Sequence, residues 1–189
     1  TIVLRHLLHG GVVSSPPRGG AALGDLFAED VCCGAFHLRL SQRAWLRQLN
    51  IENRGVHLSV SGGAQAWVLG MKTEQAGGEQ IHVDGPGSEV EVLGGFFMPF
   101  DGMVGDADPA AVSVSGGARA SFGFAESSYA PVGVGAYPVL VEEELGGGEV
   151  RRFTASNAPK RGGGYGTVMP LFSAGRQQAA SLNLRPKLM

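Results

Sequence analysis

Apolar and polar residues alternate along this chain in short bursts separated by glycine and proline, and a helical period is almost absent. In "VHLSV" (56–60), Val56, Leu58 and Val60 point one way and His57 and Ser59 the other, the two-residue period of a half-buried strand. Short strands of this kind are also predicted at "FHLRL" (36–40), "QIHVDG" (80–85) and "AVSVSG" (111–116). Each is followed by a longer one: "AWLRQLNIE" (44–52), "AWVLGMKTE" (66–74), "VEVLGGFFM" (90–98) and "ARASFGFAE" (118–126). Turn residues join them at Ser61-Gly62-Gly63, Gly85-Pro86-Gly87-Ser88 and Ser115-Gly116-Gly117. Farther on, "YPVLVEEEL" and "GEVRRFTAS" flank Gly146-Gly147-Gly148, and near the start "TIVLRHL" and "LFAEDV" flank "GGVVSSPPRGG". Only "AWLRQLN" could be misread as helix, and the last 15 residues are expected to form a short helix or to fray.

The longer strands align with one another. Residues 44–52 match 66–74 at an offset of 22, and 66–74 match 90–98 at an offset of 24, with Leu69-Gly70 facing Leu93-Gly94; 118–126 follow less closely. A unit of two short strands and a glycine corner cannot bury a core by itself, so successive copies must stack. A β-sandwich also contains many short strands, but it does not make equivalent residues recur at near-constant offset. A parallel β-helix does, because each coil lies about 4.8 Å above the last and like residues form ladders. The expected fold class is therefore all-β, a parallel β-helix over residues 1–170 with a C-terminal tail over 171–189.

Composition narrows the function classes. The 189 residues include 31 Gly, without the strict three-residue period of collagen. A formal charge of −2, with no basic stretch interleaved with aromatics, argues against a nucleic-acid surface. No apolar run is long enough to cross a bilayer. Cys32 and Cys33 are adjacent, which makes a disulfide between them strained and two buried thiols the expected state. The chain opens in what reads as mid-strand, as a fragment of a longer domain would, and an open first strand invites association into oligomers.

The stretches "LFAEDVCCG", "AWLRQLNIE", "WVLGMKTE" and "EVLGGFF" resemble a run found in bacterial proteins of the pectate-lyase-like superfamily, right-handed β-helices related to the glycosyl hydrolase 28 and 55 type families. The resemblance covers roughly residues 2–170, most clearly 24–98. It implies extracellular or cell-surface handling of a polysaccharide or other glycan. The superfamily holds hydrolases, lyases and phage tailspikes, so a non-catalytic structural or glycan-binding role stands beside the enzymatic one.

Stacking at these offsets places Glu52 and Glu74 on neighbouring coils, followed by Met98 and, more loosely, Glu126. Glycoside hydrolysis needs two carboxyls about 5–9.5 Å apart, and like charges one coil apart also push one of them toward the acid role. Glu52 and Glu74 are thus the catalytic candidates; the competing and preferred expectation is that they cap corners or pair with Arg47 or Lys72. Arg47, Lys72, His37, Glu29 and Asp30 are the candidate substrate-binding residues. Trp45 and Trp67 stack by the same register, either as a sugar platform or, the preferred expectation, as core packing. His37, His57 and His82 form an expected outward histidine ladder with no fixed-spacing metal motif. No cofactor is expected. "DGMVGDAD" (101–108) has the acid density of a calcium loop without its spacing and reads as a loop insertion, with calcium binding as the alternative, and "RGGGYGT" (161–167) reads as a turn rather than a phosphate loop.

Overall fold

The computed structural model describes residues 1–16, 22–74, 78–99, 110–127, 137–160 and 166–175. In chain order its strands are β1 (Ile2–His9), β2 (Val12–Val13), β3 (Leu26–Cys33), β4 (Phe36–Leu38), β5 (Arg43–Glu52), β6 (Leu58–Val60) and β7 (Gln65–Glu74). Then come β8 (Ile81–Asp84), β9 (Glu89–Met98), β10 (Val112–Ser115), β11 (Arg119–Glu126), β12 (Val139–Gly146), β13 (Glu149–Thr154) and β14 (Val168–Ala174). The candidate calcium loop at 101–108, residues 161–165 of the glycine-rich turn and the chain beyond 175 lie outside the described residues. The boundary expected at residue 170 falls within β14.

The protein is all-β, with two sheets dominated by parallel pairing. One sheet runs β1-β3-β5-β7-β9-β11-β14 and the other β13-β12-β10-β8-β6-β4-β2. From β1 to β12 the chain alternates strictly between them, and as far as β10 each long strand is followed by a short one. Among the described residues antiparallel pairing enters only at the far end, where β14 lies on β11 and β13 on β12. There the Arg151 guanidinium pairs with Glu143 and donates to the Ser173 carbonyl (3.1 Å), while Gly175 N–H donates to the same glutamate (2.6 Å), fastening the last strands of both sheets together.

The core lies between the sheets and is built of columns, one residue from each strand. In the first sheet one inward column is Ala28-Leu46-Val68-Val92-Phe122 and another is Val31-Leu49-Met71-Gly95-Phe124. The second sheet contributes Phe36-Leu58-Ile81-Val112-Val141. Nearly all of these side chains are buried, each worth roughly 1.5–3 kcal/mol when large and fully covered.

A further column explains why the long strands can run to ten residues without following one alternation. His6, Asp30, Gln48, Gly70 and Gly94 all have φ between 48° and 79°, and each sits at the unpaired position between matched stretches of the ladder. A left-handed residue turns the strand and inserts one extra position, so Arg47 and Gln48 are both exposed while Leu46 and Leu49 are both buried. β11 lacks this extra residue, and its register with β9 jumps there: Gly123 faces Leu93 and Phe124 faces Gly95.

Two expectations change. His57 does not face outward; it is fully buried just before β6, because the regular strand begins only at Leu58. The outward column of the second sheet is His37-Ser59-His82-Ser113-Glu142, so His57 has no place in a histidine ladder. Cys33 is buried and Cys32 half-buried, both as free thiols, since neighbours on a strand point to opposite faces.

Candidate functional site: a groove on the first sheet

The outer face of the first halves of the long strands carries a groove of about 680 Å³. Its floor is the strand surface at Leu4, Ala28, Leu46 and Val68, whose side chains turn inward to the core. One wall is an aromatic ladder, Phe27-Trp45-Trp67, whose next position in register is Glu91. The other wall is the column Arg5-Glu29-Arg47-Leu69-Leu93. Five strands at about 4.8 Å spacing give the groove a length of roughly 19 Å along the stack.

The ladder exists because Phe27, Trp45 and Trp67 alternate with inward Ala28, Leu46 and Val68 before the left-handed corner is reached. Ring centroids are 4.8 Å apart for Phe27–Trp45 and 5.2 Å for Trp45–Trp67, with planes within 9° and 17° of parallel. Those separations exceed the carbon contact distance of about 3.5–4 Å, so the rings are offset and each leaves an edge and a strip of face uncovered. The tryptophan ladder, expected as core packing, is outward and partly exposed, and Phe27 is 42% exposed. The guanidinium of Arg43 lies 5.6 Å from the Trp45 ring centroid and donates twice to Asp25, at 3.0 and 2.9 Å.

The groove's charges are mostly internal pairs. Glu29 receives Arg47 and, at 3.5 Å, Arg5. Exposed leucines and a valine, Leu69, Leu93 and Val3, supply the apolar surface around them.

Of the seven residues proposed from the sequence as catalytic or substrate-binding, Glu29 and Arg47 line this groove, and they do so as partners. The other five do not. Asp30 occupies the left-handed corner and accepts from His6 Nδ1 at 2.7 Å or pairs with its imidazolium. His37 lies on the second sheet, its pKa lowered by partial burial and by nearby Arg39, with Nδ1 buried and unpartnered. Glu52 and Glu74 do stack in register, followed by Met98. They sit past the corner, where Glu74 is ion-paired with Lys72 and Glu52 accepts from Asn50 Nδ2 at 2.8 Å. Glu126, the looser match to this pair, faces Phe97 instead of Met98 because of the register jump in β11, and its side chain points into the core.

The second sheet offers one constellation that resembles a nucleophile relay. His82 Nδ1 lies 2.8 Å from both Glu79 Oε2 and Ser113 Oγ, and the glutamate raises the histidine pKa. A relay needs serine and carboxylate on opposite ring nitrogens; here both meet the same one, so the arrangement is a hydrogen-bonded surface cluster and not a triad. No group of three or more metal-ligating side chains occurs among the described residues.

Sequence reasoning identified the stacked tryptophans but not the groove, nor Phe27 and Glu91 as its members. The in-register spacing 27-45-67-91 was the available signal, and it becomes visible only once β3 is aligned with β5 at an offset of 18. Comparison with protein-family models, with curated proteins and with solved structures finds no match to this chain.

Proposed function

We propose that the chain is a right-handed parallel β-helix of the pectate-lyase-like type, extracellular or at a cell surface, and that its first-sheet groove binds a glycan without cleaving it. The strict alternation between two parallel sheets supports the β-helix reading, and parallel crossovers are overwhelmingly right-handed. The single observation carrying the functional reading is the partly exposed Phe27-Trp45-Trp67 ladder facing a wall of charged and apolar side chains along an open groove. Offset aromatic strips and leucine methyls suit the C–H faces of sugars, and the guanidinium and carboxylate groups suit their hydroxyls.

Binding is favoured over cleavage for two reasons. Glu74 is committed to Lys72, and neither Glu52 nor Glu74 reaches the groove. The groove's own carboxylates, Glu29 and Glu91, stand three strands apart, about 14 Å at the backbone, beyond the roughly 5–9.5 Å a hydrolytic pair requires. A uronate-eliminating lyase would need a free cation to neutralise the substrate carboxylate, and Arg5 and Arg47 are both held by Glu29.

The test is titration of the protein with soluble oligosaccharides, followed by tryptophan fluorescence. Binding should be seen, and Trp45→Ala should weaken it by about tenfold. Leu69→Ser, on the exposed opposite wall, gives a second probe that leaves the ladder intact. A fluorescence response that neither substitution alters would exclude the groove as the site.

A further inference from the structure

Glu91 is set apart from the other charges of the groove. It follows Trp67 in register, with Ser121 on its other side, and lines the groove at the end of the aromatic ladder. Among the described residues its side chain makes no ion pair and no hydrogen bond. The nearest groove cation in the stack, Arg47, lies two strands away, about 10 Å at the backbone, and is held by Glu29. Between them β7 contributes only Trp67 and Leu69 to the walls. Trp67 is also where the ring stack ends, so among the described residues no further aromatic ring covers the indole face directed toward β9.

An indole face without an aromatic partner, beside an unpaired carboxylate, is the combination that attracts an ammonium group: the ring quadrupole and the negative charge act on the same cation. Half-burial of Glu91 against Trp67 and the groove floor strengthens the attraction, since the pair is less screened than on an open surface. We propose that this end of the groove is a subsite for a protonated amine, and that the glycan bound there is one whose sugars carry free amino groups. The inference rests on the glycan-binding reading above and adds the substrate class to it. A uronate polymer would instead bring its carboxylates to the one unpaired groove carboxylate, and repulsion would disfavour it.

The experiment compares four probes on the full chain at mildly acidic pH, where sugar amines are protonated: oligomers of glucosamine, the same oligomers N-acetylated, a neutral glucan oligomer and oligolysine. The free-amine oligomer should bind on the order of tenfold more tightly than its acetylated form, and added salt should erode the difference. Glu91→Gln should abolish that preference, bringing the free-amine oligomer down to the affinity of its acetylated form; Glu74→Gln, outside the groove, should alter nothing. Equal affinity for the free and acetylated oligomers, or a preference that survives in Glu91→Gln, overturns the amine subsite while leaving glycan binding intact. Oligolysine binding as tightly as the amino sugar with the same dependence on Glu91 overturns the assignment to a glycan. Binding of none of the glycans removes the underlying reading as well.

Discussion

The side chain of Glu126 ties three segments together, and its replacement gives the sharpest test of how the far end of the stack is closed. It is fully buried at the end of β11, in the inward column Ile51-Thr73-Phe97-Glu126. Its carboxylate accepts Tyr137 N–H at 2.6 Å and Thr167 Oγ1–H at 2.9 Å, reaching the residues that lead into β12 and β14. Glu126→Ala removes the acceptor that both donors use, a cost of roughly 1–3 kcal/mol each, partly offset because an ionised carboxylate need no longer be desolvated. A net loss of about 2–4 kcal/mol follows, or roughly 4–16 °C in melting temperature for a chain of this size. Glu126→Gln keeps the volume and one acceptor, and the Thr167 hydroxyl can turn to accept, so its cost near neutrality should stay below about 1 kcal/mol.

The pH dependence separates the two variants further. Burial raises the Glu126 pKa above 4.5, opposed by the Tyr137 and Thr167 hydrogen bonds and by Lys160. The folded state therefore holds this proton more tightly than the unfolded one. Its contribution to stability is complete below pH 4.5 and is lost as pH rises through the raised value. Glutamine carries no such titration. Urea unfolding of wild type and Glu126→Gln across this range should show the wild type losing ground to the variant as pH increases. A difference that stays flat, or that moves in favour of the wild type as pH increases, would refute the account of a buried, destabilised carboxylate.

Two other predictions concern the core and its corners. His57 is buried with Nε2 2.6 Å from the Asn53 carbonyl, and desolvation lowers its pKa despite hydrogen bonding to Asn53 and Gln80. Its contribution is therefore present above pH 6.5 and is lost as pH falls through the lowered value; an NMR titration placing the His57 midpoint at or above 6.5 would contradict this. Gly95→Ala should destabilise by about 1–3 kcal/mol, because the added Cβ would meet the Phe124 Cβ at 2.7 Å. Neighbouring Gly94→Ala meets nothing within 4 Å and should cost only about 1 kcal/mol for its φ of 79°; denaturant midpoints that reverse this order would show that the inward column can relax.

Much of the fold was legible in the pattern because a stack of similar strands writes its register into the sequence. The offsets of 22 and 24 that align Trp45 with Trp67 and Leu69 with Leu93 are the offsets of the ladder itself. The candidate site was less legible. Ala44-Trp45-Leu46 is apolar at every position, so alternation alone gives no sign of which face the tryptophan takes. Glu29 and Arg47 were identifiable as charged residues near the ladder, but their mutual pairing depends on β3 lying beside β5.

The sequence by itself determined the strands, their order as long and short partners, and the residues that stack between β5 and β9, since these follow from local alternation and repeated spacing. Only the tertiary structure decided the rest. The left-handed corner is occupied by His, Asp, Gln and Gly in successive strands, so no residue type announces it, yet it resets which side chains face out. Its omission in β11 shifts one register step and carries Glu126 from the surface column of Glu52 and Glu74 into the core. The groove belongs to no single strand: its walls are columns, and a column exists only when five strands are stacked.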